Sequence, residues 1–150
     1  MKKICFVCLG NICRSPMAEF IMKYECKKNN IDVYVESMAT SNEETGNDMY
    51  YLAKDILDKY KIPYTKREAH RLSKSDYDRF DLIIGMDEAN IYNILRTIEK
   101  DDEGKVFKLL VFTGDTSDIS DPWYTRDFEK AYQDIYKGVL GLINYLKNEK

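Results

Sequence analysis

The sequence predicts an α/β fold, a mainly parallel sheet of four strands with helices on both faces. Three observations carry this. Four apolar runs have the length of buried strands, and the stretches between them show helical spacing of apolar residues. The first run ends in a short Gly10-Asn11 turn that leads into Ser15-Pro16, a helix-opening pair. Strands that alternate with helices form βαβ units, and such units make parallel sheets covered on both sides.

Each element follows in chain order. Residues 4–9 (Ile4 to Leu9) are continuously apolar and read as a strand covered on both faces. Ser15 is the expected N-cap and Pro16 the first helical residue, with Met17, Phe20, Ile21 and Tyr24 on one face. Asp32 to Glu36 reads as the second strand. Thr40 to Asp48 is polar, contains Gly46-Asn47 and is a loop. Met49, Leu52, Ala53, Ile56, Leu57 and Tyr60 mark a second helix that Pro63 should end. Ser73 to Phe80 suggests a short helical turn, and Asp81 to Met86 the third strand. Ala89, Tyr92, Ile94 (or Leu95) and Ile98 predict another helix, and Val106 to Phe112 the fourth strand. Gly114 to Tyr124 reads as a long polar loop, and the last helix runs from about Phe128 to Leu146. No repeat, linker or low-complexity segment interrupts the 150 residues, so residues 1–150 are expected to form one domain. At this length roughly 68–70% of the unfolded surface can be buried, enough for a full core without staples.

Composition narrows the function classes. The 23 basic and 26 acidic residues give a formal net charge of −3, which argues against a broad nucleic-acid surface. No apolar run is long enough to cross a bilayer, and the N-terminus lacks a signal-peptide pattern. A cytoplasmic protein is expected. All four cysteines, Cys5, Cys8, Cys13 and Cys26, lie in the first 26 residues. A disulfide framework would spread them through a smaller secreted chain. Zinc is disfavoured, because Cys5 and Cys8 are separated by Phe6 and Val7, which suit a strand better than a ligand turn. Cys5 and Cys26 are expected to be structural, and His70, the one histidine, a loop residue.

The chemistry concentrates in Cys8-Leu9-Gly10-Asn11-Ile12-Cys13-Arg14-Ser15-Pro16. Ligands of open parallel sheets lie at the carboxyl ends of the strands, where Cys8 stands. A short loop that turns from strand to helix can aim its amides inward, and a helix N-terminus behind it favours an anion. Gly10 permits close approach or positive φ, and Asn11 tolerates left-handed geometry. Arg14 supplies a planar fork matched to phosphate oxygens. A free thiol titrates at about 8.5, and helix N-termini and cations lower that value, so Cys8 is expected to be a thiolate. A thiolate beneath a phosphoryl group is a nucleophile. Ser15 is placed to donate a hydrogen bond to it. Asp121 is the candidate general acid for the leaving oxygen, although Asp121-Pro122 also fits a plain turn. Trp123 and Tyr124 offer aromatic surface beside it.

These residues, with Asp121-Pro122-Trp123-Tyr124 and Met86-Asp87-Glu88-Ala89-Asn90, resemble the low-molecular-weight protein tyrosine phosphatases over nearly the whole chain. The resemblance implies a four-stranded parallel sheet with a phosphate-binding loop after the first strand. It implies Cys8 as nucleophile, Arg14 as phosphate clamp and Asp121 as acid, then base. Leu9, Gly10, Asn11, Ile12, Cys13 and Ser15 would line the phosphate, with Trp123 and Tyr124 beside the substrate. The implied reaction passes through a phosphocysteine released by water, with no metal or other cofactor. Tyrosine-phosphorylated proteins are the implied partners of a monomer or weak dimer. Cys13 resembles a residue that traps oxidised Cys8 as a disulfide.

Arginine phosphatases on this scaffold carry Thr where Ile12 stands and lack the paired aromatics, so Ile12, Trp123 and Tyr124 favour a phosphotyrosine ring. Thioredoxin-coupled arsenate reductases use a mid-chain cysteine pair, and no cysteine follows Cys26. A non-catalytic phosphotyrosine-binding module is the other alternative, and it would have no need of Asp121. The family often has an aromatic wall where Glu43 stands. It also often has a His-x-Ala-Arg segment where this chain reads Arg67-Glu68-Ala69-His70, so no role passes to His70.

Overall fold

The computed structural model describes residues 1–149. Strand β1 (Lys2–Cys8) is buried from Ile4 onward and lies at the centre of the sheet. It pairs in parallel with β2 (Val33–Ala39) on one side and β3 (Leu82–Gly85) on the other. Strand β4 (Val106–Lys108) extends β3, so the order is β2-β1-β3-β4. Successive side chains on β1 point to opposite faces. Ile4, Phe6 and Cys8 enter the larger core, while Cys5 and Val7 enter the smaller one.

Helix α1 (Arg14–Lys28) lies on the larger side with α2 (Tyr51–Lys59) and α5 (Phe128–Asn148). Helix α3 (Glu88–Ile98) covers the other face, with a 3-10 segment at Lys74–Arg79. The chain leaves β1 toward β2, then returns past it to β3. The strand order therefore reverses beside β1, and the crevice at such a reversal is where α/β sheets bind ligands.

Four elements differ from the sequence reading. Helix α1 is capped by Cys13 without a side-chain hydrogen bond, and Ser15 and Pro16 lie inside its first turn. Pro16 is tolerated there because first-turn amides have no intrahelical partner. Strand β2 runs three residues past Glu36, through Ser37, a polar residue buried for the network described below. Helix α2 ends at Lys59, before Pro63, and the chain turns away just after its C-cap at a left-handed Lys61 with φ 59°. Strand β4 gives way after Lys108 to a 3-10 turn, Leu109–Thr113, which Gly114 closes at φ 82°. β4 has only the four-residue β3 to pair with, and burying Leu109 against Gly138 of α5 replaces further pairing.

Candidate active site

The loop between β1 and α1 is held from outside by its carbonyls. Thr40 N donates to Cys8 O at 3.0 Å, Ser41 N to Leu9 O at 3.1 Å and Tyr50 N to Ile12 O at 2.8 Å. The amides of Gly10, Asn11, Ile12 and Cys13 have no protein acceptor among the described residues. Asn11 takes the positive φ, 59°, while Gly10 serves close approach: a Cβ there would lie 3.3 Å from Glu44 Cγ. A loop built this way presents several N–H groups to one point, which suits an anion.

Cys8 Sγ lies at the floor, 3.0 Å from Ser15 Oγ, and accepts from Ser15 N at 3.4 Å. The surrounding hydrogen bonds decide which way the Ser15 proton points. Arg67 Nη2 donates to Asn11 Oδ1, and His70 N donates to the same oxygen at 3.3 Å. With its oxygen so engaged, the Asn11 amide turns Nδ2 to Ser15 Oγ at 2.8 Å and to Ser37 Oγ at 3.0 Å. Ser37 Oγ in turn donates to Glu19 Oε1 at 2.6 Å. Ser15 Oγ accepts this hydrogen bond from Asn11, so its own hydroxyl hydrogen is left for the Cys8 sulfur. Burial lowers the Arg67 pKa, opposed by the charges of Glu19, Asp48 and Cys8.

Arg14 is 2% exposed. Its Nη1 donates to Asp87 Oδ2 at 2.8 Å and to Ile119 O at 2.6 Å, and its Nη2 is 3.5 Å from Asp121 Oδ2. Burial works against the charged guanidinium, but the charges of Cys8, Asp87 and Asp121 outweigh it and raise its pKa. Both carboxylates are fixed by helix starts. Asp87 caps α3 by accepting from Asn90 N at 2.7 Å. Asp121 accepts from Trp123 N at 3.0 Å and caps α4 (Pro122–Thr125), a short helix inside the stretch read as loop. The plain-turn reading and the functional reading of Asp121 are therefore compatible.

Cys8, the loop, Arg14, Asp121, Trp123 and Tyr124 enclose one cavity of about 160 Å³, and Glu43 and Glu44 complete its wall. Trp123 stands edge-on to Tyr50 with centroids 4.9 Å apart. Arg126, left-handed at φ 61°, lies over Tyr50, Trp123 and Phe128 and donates to the Tyr50 hydroxyl at 3.0 Å. Burial pushes the Cys13 thiol up, and the charges of Cys8 and Asp121 push it further. Cys13 is therefore a neutral thiol, 5% exposed, at the edge of the cavity.

Residues 3–150 match the family described as low molecular weight phosphotyrosine protein phosphatase. The chain belongs to that family. It is 39% identical over 148 residues to the low molecular weight protein-tyrosine-phosphatase PtpA of Staphylococcus aureus, covering 97% of this chain and 94% of the relative. Among solved structures, YfkJ from Bacillus subtilis superposes with TM-score 0.96 at 33% identity, covering 100% of this chain and 97% of that one. SP-PTP, the low molecular weight protein tyrosine phosphatase from Streptococcus pyogenes, gives TM-score 0.87 at 38% identity, with both chains covered completely.

Within this family member the structure gathers every site residue read from the sequence around the one cavity, except Ser15, which lies behind Cys8. Sequence reasoning missed Glu19, Ser37, Arg67 and Asp87. Arg67 holds Asn11, at the position where the family often has histidine. Asp87 stands in a motif quoted for the resemblance, but nothing local distinguishes a cap from an arginine anchor. Glu19 and Ser37 carry no sequence signal, because their pairing joins a helix to a strand. His70 is exposed, as expected, and contributes its backbone amide rather than its ring.

Proposed function

We infer that the chain hydrolyses phosphotyrosine in proteins, and small aryl phosphates, with Cys8 as nucleophile, Arg14 as clamp and Asp121 as acid and base. The arrangement of Cys8 at the floor of inward amides, with Arg14 and Asp121 on the same cavity, supports the reading most directly. The phosphoryl oxygens take the loop amides and the Arg14 fork. The Cys8 sulfur attacks phosphorus in line, the P–O bond to the ring breaks, and Asp121 gives its proton to the leaving oxygen. Asp121 then takes a proton from water as that water attacks the phosphocysteine. Phosphate leaves, and the released thiolate accepts the Ser15 hydroxyl proton as a hydrogen bond. The long Arg14–Asp121 contact is the one that an incoming phosphate replaces. Trp123 and Tyr124 flank the ring, and Glu43 stands where a third aromatic wall is usual in the family.

We read residues 1–150 as one catalytic domain acting in the cytoplasm on tyrosine-phosphorylated proteins as a monomer or weak dimer. No helix among the described residues is long and apolar enough to cross a membrane. Turnover of an aryl phosphate, abolished in Cys8→Ser while vanadate binding persists, is the expected result. Near-normal turnover by Cys8→Ser would remove the assignment.

A further inference from the structure

A second groove lies away from the catalytic cavity and shares no residue with it. Thr40, Arg71, Leu72, Ser73, Asn93, Arg96 and Thr97 form it, with a volume of about 590 Å³. No carboxylate lines it, in a chain that carries 26 acidic residues against 23 basic ones. Neither Arg71 nor Arg96 forms a side-chain ion pair or hydrogen bond among the described residues, so both guanidinium groups are available to a ligand in the groove. Arg96 only lies over the Tyr92 ring, with its guanidinium 5.7 Å from the centroid. Thr40 is 8% exposed, and its hydroxyl is buried without a partner. A buried hydroxyl without a partner costs free energy, so a ligand that supplies one has a reason to bind there.

The groove is also built rather than incidental. Ala39 N donates to His70 O at 2.7 Å, and Leu72 N donates to Ala39 O at 2.8 Å. This bridge fixes the backbone of Arg71 beside the end of β2 and next to Thr40. Arg96 comes from the last turn of α3, which packs on the same face of the sheet.

We propose that this groove binds a phosphate-type oxyanion, with Arg71 and Arg96 supplying charge and Thr40 and Asn93 neutral hydrogen bonds. Two guanidinium forks without competing carboxylates match a tetrahedral dianion better than a single carboxylate. Two sources carry this chemistry: free phosphate, which the proposed reaction itself releases, and a second phosphoryl group on the same substrate chain. The site stands independently of the catalytic reading: it shares no lining residue with the cavity at Cys8, and Thr40 meets that loop only through its backbone N–H to Cys8 O.

The test follows backbone amide shifts while inorganic phosphate is added to the full chain. Saturable shifts at Arg71 to Ser73, Asn93 and Arg96, with Kd on the order of 1 mM, are expected, separate from those at Gly10 to Ser15 and at Thr40, whose amide is bonded to Cys8 O. In the Arg71→Gln/Arg96→Gln double variant the first set should vanish and the second remain. Absence of saturation at the groove, or shifts unchanged in the double variant, overturns the proposal. Loss of the Gly10 to Ser15 response alone would instead count against the catalytic reading. A doubly phosphorylated peptide distinguishes the sources. If its second phosphoryl group is the occupant, the double variant raises its KM about fivefold or more and leaves that of the singly phosphorylated peptide unchanged. If free phosphate is the occupant, both KM values stay level while the phosphate shifts are still lost.

Discussion

Ser15 occupies a position that sequence statistics give to a helix cap, and the fold assigns it to sulfur instead. As a cap, Ser15 would accept from an amide of the first helical turn two or three residues on. Its proton is directed by Asn11, and Asn11 by Arg67, a chain of three side chains from different segments. Arg67 is a positioning residue in this account. Arg67→Met should lower kcat about tenfold, the worth of one hydrogen bond from a charged group, with KM little changed. Arg67→Lys should restore part of it, and a variant that raised KM alone would show that Arg67 does not act through Cys8. Asp121→Ala should slow poor leaving groups by about 10²–10⁴ and activated aryl phosphates far less. Equal losses on both would take the acid role from Asp121. Trp123 is the one tryptophan and is 42% exposed at the cavity, so its fluorescence should change as vanadate binds.

At the scale of elements, α5 packs on the turn after β4 through two glycines. A Cβ on Gly141 would lie 2.7 Å from the Phe112 carbonyl oxygen, a backbone atom that cannot rotate away. Gly141→Ala should therefore lower stability by about 1–2 kcal/mol, even after the gain in helix propensity, as read from the denaturant midpoint. The 3-10 segment after Leu72 depends on a reciprocal cap. Ser73 N donates to Asp76 Oδ2 at 2.8 Å, and Arg79 Nη1 donates to Asp76 Oδ1 at 2.7 Å. Burial opposes the Asp76 carboxylate, but the bonds from Ser73 and Arg79 outweigh it and hold its pKa below the usual range. A carboxylate depressed in the folded state stabilises above its unfolded pKa and loses that contribution as pH falls through the folded one. Asp76→Asn should thus cost about 1 kcal/mol at neutral pH. The gap to the parent protein should close below about pH 4. A gap that stayed constant into acid would show that the charge of Asp76 is not what matters.

Across the whole molecule, β1 joins two cores and leads into the loop at Cys8, so the site rests on a strand buried from Ile4 to Cys8. A ligand that binds only the folded loop must stabilise the entire chain. Vanadate at about one hundred times its Kd should add about 2.7 kcal/mol and raise the melting temperature by about 5–10 °C. Cys8→Ser should keep that shift and Arg14→Ala should lose it. Retention of the shift by Arg14→Ala would mean that the anion is held elsewhere.

The sequence by itself determined the strand and helix order, the loop from Cys8 to Ser15 and the partner motif at Asp121. These signals are local: apolar runs, helical spacing and turn residues act within a few positions of one another. It misplaced the end of β4 and the cap of α1, because pairing with a short neighbour and competition for amides are not local. Only the tertiary structure decided that Arg67 orients Asn11, that Asp87 anchors Arg14, and that Ser37 is buried to reach Glu19. Each is a directed hydrogen bond between segments at least 18 residues apart, and its geometry exists only once the sheet order has brought them together.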